Sequence, residues 1–185
     1  MYGKGYNSKK YGFKTDIKHY IHWRNMLHRC YDPKYHLRQP SYYGCEVCED
    51  WLDFQNFAKW YEENKYDIDE PLSLDKDLVC MGNKTYCPEM CTLVPQSLNS
   101  ILANTTVKGM YPLGVYYHKR AKKFTSSLVT IHGRVQYGYH DTPEQAHKEY
   151  VENKEKYVHE IIAEVYKGKI PTSVYTKLKN YKVLN

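Results

Sequence analysis

Hydrophobic residues recur along the chain with two different periods, one typical of helices and one typical of strands. Apolar positions repeat every three or four residues over 17–31 and again over 51–61, which predicts two amphipathic helices. Residues 72–78 alternate as a short strand, and a second strand ends near Val94. A short helix over 95–102 is predicted to follow. The first half of the chain therefore combines helices with a small hairpin.

A second pattern, from Tyr111 to Tyr150, predicts three strands and then a helix. Alternating runs over 111–118, 124–131 and 134–140 are short enough for strands, and Gly133 suits the tight turn between the last two. Thr142 is placed to cap a helix, because Pro143 follows at the first helical position. The pattern predicts a three-stranded antiparallel sheet packed on one helix.

The residues of this second pattern resemble the ethylene-response-factor (Apetala-type) DNA-binding domain. The resemblance rests on Gly114-Val115, Lys123-Phe124, the run 135–139 and the helix entry 141–146. It implies that the sheet lies in the major groove of DNA while the helix packs behind it. Several positions that are arginine in that family are Tyr, His or Val here, which implies a weaker or different preference for DNA sequence. Carried over by position, the groove-facing residues are Gly114, Tyr116, His118, Ser127, Val129, Arg134 and Gln136.

The turn between the first two predicted strands is basic, with Lys119, Arg120, Lys122 and Lys123. In most proteins such a turn is simply solvated. Within a sheet that resembles a DNA reader, these cations are expected to contact phosphates, which supply most non-specific affinity.

The first half of the chain is similar to bacteriophage HNH endonuclease-like proteins. The matching residues include Arg29-Cys30, Val47-Cys48, Ser73-Leu74-Asp75, Gly82-Asn83 and the run 86–89. The pairing of such a module with an Apetala-type domain also resembles phage homing-endonuclease-like proteins. The resemblance implies a small ββα, zinc-type module and metal-dependent cleavage of DNA, of the nicking or homing type.

The catalytic residues that this resemblance implies are Asp75, Lys76, Asp77, Asn83 and Asn99. Asp75 and Asp77 would hold Mg²⁺ or Mn²⁺, and an Asn amide would orient the attacking water. Lys76 stands where the family has its histidine, and a protonated lysine is a poor general base. Other candidates for the base are His19, His22, His28 and His36.

Six cysteines form the other candidate metal site. Cys45-x-x-Cys48 has the spacing of one half of a zinc site, and Cys30 with Cys91 could complete four thiolates. Cys80 and Cys87 compete for the same role. The alternative is that these thiols are small buried hydrophobes.

Composition limits the classes of function. The 185 residues carry a formal charge of +6 and include 21 tyrosines, which suits a polyanionic partner. No apolar run is long enough to span a membrane, and residues 1–5 show no signal region, so we expect the cytoplasm, that of the host cell if a phage encodes the chain. The expected divisions are a flexible basic arm (1–14), the HNH-like module (15–104), the DNA-binding domain (108–166) and a helical tail (167–185).

Together these features predict an α+β protein that binds double-stranded DNA and cleaves it with a metal ion. Two alternatives remain. The chain is a catalytically inactive DNA-binding or regulatory protein, or it is a phage protein that binds a host protein through its tyrosine-rich surface.

Overall fold

The computed structural model describes residues 2–16, 18–80, 82–103 and 110–183. The chain is a mixed α+β protein that divides into two compact units, Met1–Gln96 and Ser97–Asn185. The boundary that the sequence predicted, at 104–108, lies outside the described residues. The observed division falls earlier because the helix after residue 95 packs with the C-terminal helices. None of the helices in the described part of the chain combines the length and apolar composition needed to cross a membrane.

The helices of the first unit bury one apolar face each. Helix α1 (Lys18–Tyr31) buries Trp23, Met26, Leu27 and Cys30. It ends before Pro33, and the Asp32 side chain accepts backbone N–H groups of the next helix. A single 3-10 turn over Pro40–Tyr42 follows. The helices are α1 (Lys18–Tyr31), α2 (Pro33–Arg38), α3 (Glu49–Leu52) and α4 (Phe54–Asn64).

The strands of the first unit form two small sheets. Strands β2 (Leu72–Asp75) and β4 (Thr92–Pro95) pair antiparallel, as the predicted hairpin requires. Strands β1 (Glu46–Val47) and β3 (Thr85–Tyr86) pair in parallel across almost 40 residues of chain. Trp51, Phe54 and Phe57 fill the core beside these sheets.

Residues 2–13, which we call the N-terminal strap, lie against α3 and α4. The Tyr6 N–H donates to Leu52 O at 2.9 Å, and the Phe54 N–H donates to Tyr6 O at 2.9 Å. Gln55, which is fully buried, donates to Phe13 O at 2.9 Å and accepts the Phe13 N–H at 3.0 Å. A flexible arm was expected here. The structure instead ties the segment down, because Gln55 and Asp53 satisfy its backbone groups.

The second unit contains the three-stranded antiparallel sheet that the sequence predicted. Strand β6 (Lys123–Thr130) lies between β5 (Val115–His118) and β7 (Gly133–His140). Gly133 takes a φ of 110° in the tight turn. The Thr142 side chain accepts the Gln145 N–H and caps α6 (Pro143–Tyr157), as predicted.

The helices of the second unit are α5 (Gln96–Leu102), α6 (Pro143–Tyr157), α7 (Ala163–Tyr166) and α8 (Thr172–Lys179). One π-helical turn, Val158–Ile162, joins α6 to α7 without a break. Ser97 and Tyr166 share a hydroxyl hydrogen bond of 2.5 Å, and the Tyr181 hydroxyl donates to Leu102 O at 3.1 Å. These bonds tie α5 to the C-terminal helices.

Candidate functional site

One face of the three-stranded sheet is turned away from the helices of its unit. In the ladder, Tyr116 lies opposite Thr125, Ser127 opposite Gln136, and Val129 opposite Arg134. Paired residues share a face of the sheet, and alternate residues of one strand do too. We call this the outer face; its residues are Tyr116, His118, Thr125, Ser127, Val129, Arg134, Gln136 and Tyr139.

The opposite face packs on α6. Leu128 is buried there, and the Ser126 hydroxyl donates to Glu149 at 3.4 Å. Gly114, which we expected to face the groove, instead lies against the Tyr150 ring, where a Cβ would overlap it. Its missing side chain therefore serves the packing of α6. The other six residues carried over from the family resemblance share the outer face.

Tyr139 is an outer-face residue that the alternation of the sequence did not predict. Simple alternation from Arg134 and Gln136 would place Gly138 outward. A bulge in the β6–β7 ladder shifts the register between Thr125 and Ser127, so that Tyr139 pairs with Thr125 instead. Gly138 within a strand was the signal that could have indicated the bulge.

Thr125 is buried in the middle of the sheet and donates to Tyr137 O at 3.1 Å, whereas the exposed side chains of Arg134 and Gln136 keep most of their hydrogen-bonding capacity. Arg134 donates through Nη1 to the Ser127 hydroxyl at 3.3 Å, and an arginine has five N–H donors. Gln136 makes a long contact of 3.4 Å with the Tyr139 hydroxyl. His118 and Tyr139 pack edge to face at 5.1 Å. The face is therefore pre-ordered and still open to a partner.

The basic turn lies at the end of this face. Lys123 pairs with Asp141 at 2.8 Å, and this hydrogen bond lowers the pKa of the Asp141 carboxyl. Lys119, Arg120 and Lys122 are exposed and form no ion pair with any residue that the structure describes. Three of the four predicted phosphate contacts are thus free cations.

The positive charge of the chain is concentrated in the second unit. Residues 97–185 contain 14 of the 27 Lys and Arg residues but only 7 of the 21 Asp and Glu residues. Residues 1–96 contain 13 basic and 14 acidic residues, so their formal charge is close to zero. Attraction to a polyanion is therefore strongest at the unit that carries the outer face.

In the first unit, the predicted catalytic residues form a hydrogen-bonded loop after β2. Asp75 Oδ1 accepts the N–H groups of Asp77 and Leu78 at 3.0 and 2.7 Å. Burial raises the pKa of Asp75, although these bonds oppose the shift. Lys76 Nζ donates to Asp77 Oδ1 and to Asn83 O, both at 2.6 Å. The three neighbouring residues are thus held in one arrangement.

Asn83 and Asn99 have different surroundings. Asn83 donates to Thr85 O at 2.5 Å and accepts the Thr85 N–H at 2.9 Å, so its amide braces the loop. Asn99 is half-buried on α5 and belongs to the second unit.

Asp75 and Asp77 offer two carboxylates to a magnesium-type ion, although Lys76 Nζ already pairs with Asp77 Oδ1 at 2.6 Å. Such ions are commonly held by one or two carboxylates together with substrate phosphates and water. Both carboxylates use Oδ1 in the loop, and Oδ2 of each makes no bond to a described residue. Across the described ranges, no three His, Cys, Asp or Glu side chains are grouped to hold a metal. Further ligands would therefore come from substrate and water.

The six cysteines are all free thiols. Cys30, Cys45 and Cys91 are buried, Cys48 and Cys87 are half-buried, and Cys80 is exposed. Burial raises the pKa of the Cys30 thiol to about 12 and also raises that of Cys91. A zinc ion would have to overcome this preference for the neutral thiol. The four-thiolate site stays a prediction.

Three of the four candidate histidines have structural contacts. His19 is buried beside Phe54, with Nδ1 3.4 Å from Glu62 Oε1. His28 contacts Asp32 at 3.1 Å, and His36 Nε2 lies 2.8 Å from Arg29 O. His22 stacks on Tyr61 and lines a cleft.

Comparisons of the chain with protein-family models, with curated proteins and with solved structures each find no match.

Proposed function

We propose that the protein binds double-stranded DNA through the outer face of its three-stranded sheet. The observation that carries the proposal is the combination, in one unit, of an open polar face and a turn with three unpaired cations. The formal charge of that unit, an excess of seven basic residues, supports it. The two features match the two kinds of contact in protein–DNA interfaces, in which cations hold phosphates and polar side chains read bases.

The chemistry of the outer face suggests which bases it prefers. Arg134 suits O6 and N7 of guanine, and Gln136 suits N6 and N7 of adenine. Val129, which is 59% exposed, can contact the methyl group of thymine. Tyr116 and Tyr139 present hydroxyls suited to wet contacts. With one arginine on this face, moderate sequence preference is expected.

Binding to a randomised duplex library at two salt concentrations tests the proposal. Arg134→Ala should reduce the binding free energy for preferred DNA sites by about 1–3 kcal/mol. It should also relax the base preference at one position of the site. Lys122→Gln should weaken binding to all DNA sequences equally. It should also reduce the slope of log affinity against log salt concentration by about one. Lys148→Gln, an exposed lysine on α6, is the matched control.

Equal affinity of all three variants and the parent protein would contradict the proposal. Capture of a host protein that is insensitive to salt would favour the alternative of a protein partner.

A second candidate function is metal-dependent cleavage of DNA, which the paired carboxylates of Asp75 and Asp77 support. An ion held there would stabilise the charge that develops on the scissile phosphate. Supercoiled plasmid, incubated with Mg²⁺ or Mn²⁺ and with an EDTA control, gives the test. Nicking that disappears in Asp75→Asn and persists in Asp67→Asn, an exposed acidic control, would support cleavage. Binding without nicking would identify a catalytically inactive DNA-binding protein.

A further inference from the structure

A polar cleft of about 380 Å³ lies between α1 and β2 in the first unit. One wall is a face of α1, on which Lys18, His22, Asn25 and Arg29 recur at helical spacing. Ser73 on β2 forms part of the other wall. The volume falls within the range of small-molecule sites in proteins. The cleft is therefore large enough for a phosphate or a nucleotide.

The walls of the cleft favour an anion. Helix α1 contains no Asp or Glu in its 14 residues, and none of the residues that line the cleft is acidic. The side chains of Lys18, Asn25 and Ser73 form no hydrogen bond with any other described residue. Lys18 and Asn25 are exposed and Ser73 is half-buried, so these three polar groups can bond to a ligand in place of water.

Two further residues of this wall, His22 and Arg29, lie against tyrosine rings. His22 stacks on Tyr61 at 5.4 Å, and burial, with Arg29 and His19 nearby, lowers its pKa. The imidazole is then neutral near pH 7 and can donate one hydrogen bond. Arg29 stays charged: burial opposes its charge, but Tyr86 and Tyr42 raise its pKa above the usual value.

We propose that this cleft binds a phosphoryl group, carried either by a DNA backbone or by a free nucleotide. Lys18 supplies the charge, and Asn25, Ser73 and His22 supply hydrogen bonds to the phosphoryl oxygens. Ser73 precedes Asp75 by two residues on the same strand, so an anion in the cleft would lie beside β2. The site does not depend on the outer face of the sheet.

Amide chemical shifts of the full chain test the site directly. The probes are inorganic phosphate, a deoxynucleoside monophosphate and a short duplex, each added separately at constant ionic strength. Saturable shifts at residues 22, 25 and 73 are expected with at least one probe. Shifts with the monophosphate alone assign a free nucleotide, whereas shifts with the duplex as well assign the DNA backbone. No saturable shift with any of the three would overturn the proposal.

Two substitutions that remove the same charge from the same helix separate the cleft from general electrostatics. Lys18→Gln should weaken the binding that produces these shifts roughly tenfold. Arg24→Gln, an exposed α1 residue outside the cleft lining, should change it less than about twofold. Equal losses in both variants would overturn the site. Arg134→Ala, on the sheet, should leave phosphate binding at residues 22, 25 and 73 unchanged even where it weakens DNA binding.

Discussion

Polar residues that hold the strap and loops of the first unit contrast with those on the outer face of the second unit. In the first unit, Gln55, Lys76 and Asn83 bond to backbone groups of neighbouring segments. In the second unit, Arg134 and Gln136 stand on an exposed face. A polar residue in a suggestive motif can therefore serve the fold instead of a ligand, and its bonding partners decide between these two roles. Substitutions that disturb one unit at a time can test this contrast.

The largest effect is expected from Gly114→Ala in the second unit. Gly114 has a φ of 78°, and a Cβ there would overlap the Tyr150 ring. The combined backbone and packing cost should lower the free energy of unfolding by about 3–5 kcal/mol. Urea-induced unfolding of the parent protein and the variant measures this loss.

Gly133→Ala is the matched control, since its φ is 110° but no atom lies within 4 Å of the added Cβ. If both variants lost the same stability, contact with Tyr150 would not be the cause.

A second, opposite effect is expected at Lys154, which is 1% exposed on α6. Burial lowers the pKa of Lys154 to about 8. The unfolded chain therefore holds this proton more tightly, and the lysine destabilises the fold below pH 8. Lys154 Nζ also donates to Ala103 O at 3.3 Å, and this bond offsets part of the burial cost, so Lys154→Met should raise the free energy of unfolding by about 2 kcal/mol at pH 6–7.

That gain should decline as the pH rises from about 8 to 10.5, because the native lysine is then neutral. Lys148→Met, exposed on the same helix, is the control and should change little. A gain independent of pH would show that the burial of charge is not responsible.

In the first unit, Gln55→Met should detach the N-terminal strap while leaving the core packed. The substitution removes the hydrogen bonds of the side chain to Phe13 and Tyr11. The expected loss is about 2 kcal/mol. Amide exchange at Tyr11 and Phe13 should accelerate while amides of α1 stay protected. Asn56→Ala, on the same helix, serves as the control.

The smallest effect is expected from Asp141→Asn. The change releases Lys123 from its ion pair on the surface. The free energy of unfolding should change little. DNA affinity should rise roughly threefold, because one more unpaired cation faces the polyanion. Unchanged affinity at low salt would exclude Lys123 as a phosphate contact.

Sequence reasoning predicted the second unit well because its signals are local. The turn at Gly133 and the cap at Thr142 each depend on a few neighbouring residues. The bulge before Tyr139 was missed, since it changes the register without changing the strand. Lys154 could have been found, because it follows Ala146 and Tyr150 at intervals of four on the buried face of α6.

The first unit was harder to predict because its paired strands β1 and β3 lie far apart in the sequence. Strands β1 and β3 have two residues each, too few for alternation to show. Strand β2 was predicted to reach Leu78, but Asp75 ends it by accepting the next backbone N–H groups. The cleft was also beyond sequence reasoning, since it requires α1 and β2 to be neighbours.

The parallel bridge between Tyr6 and Asp53 also suggests that the two units fold at different rates. It closes a loop of almost 50 residues, whereas every contact between strands of the second unit joins neighbours along the chain. Loop closure slows folding as the sequence separation grows. The sheet of the second unit should therefore form early, and docking of the N-terminal strap should be among the last steps of folding.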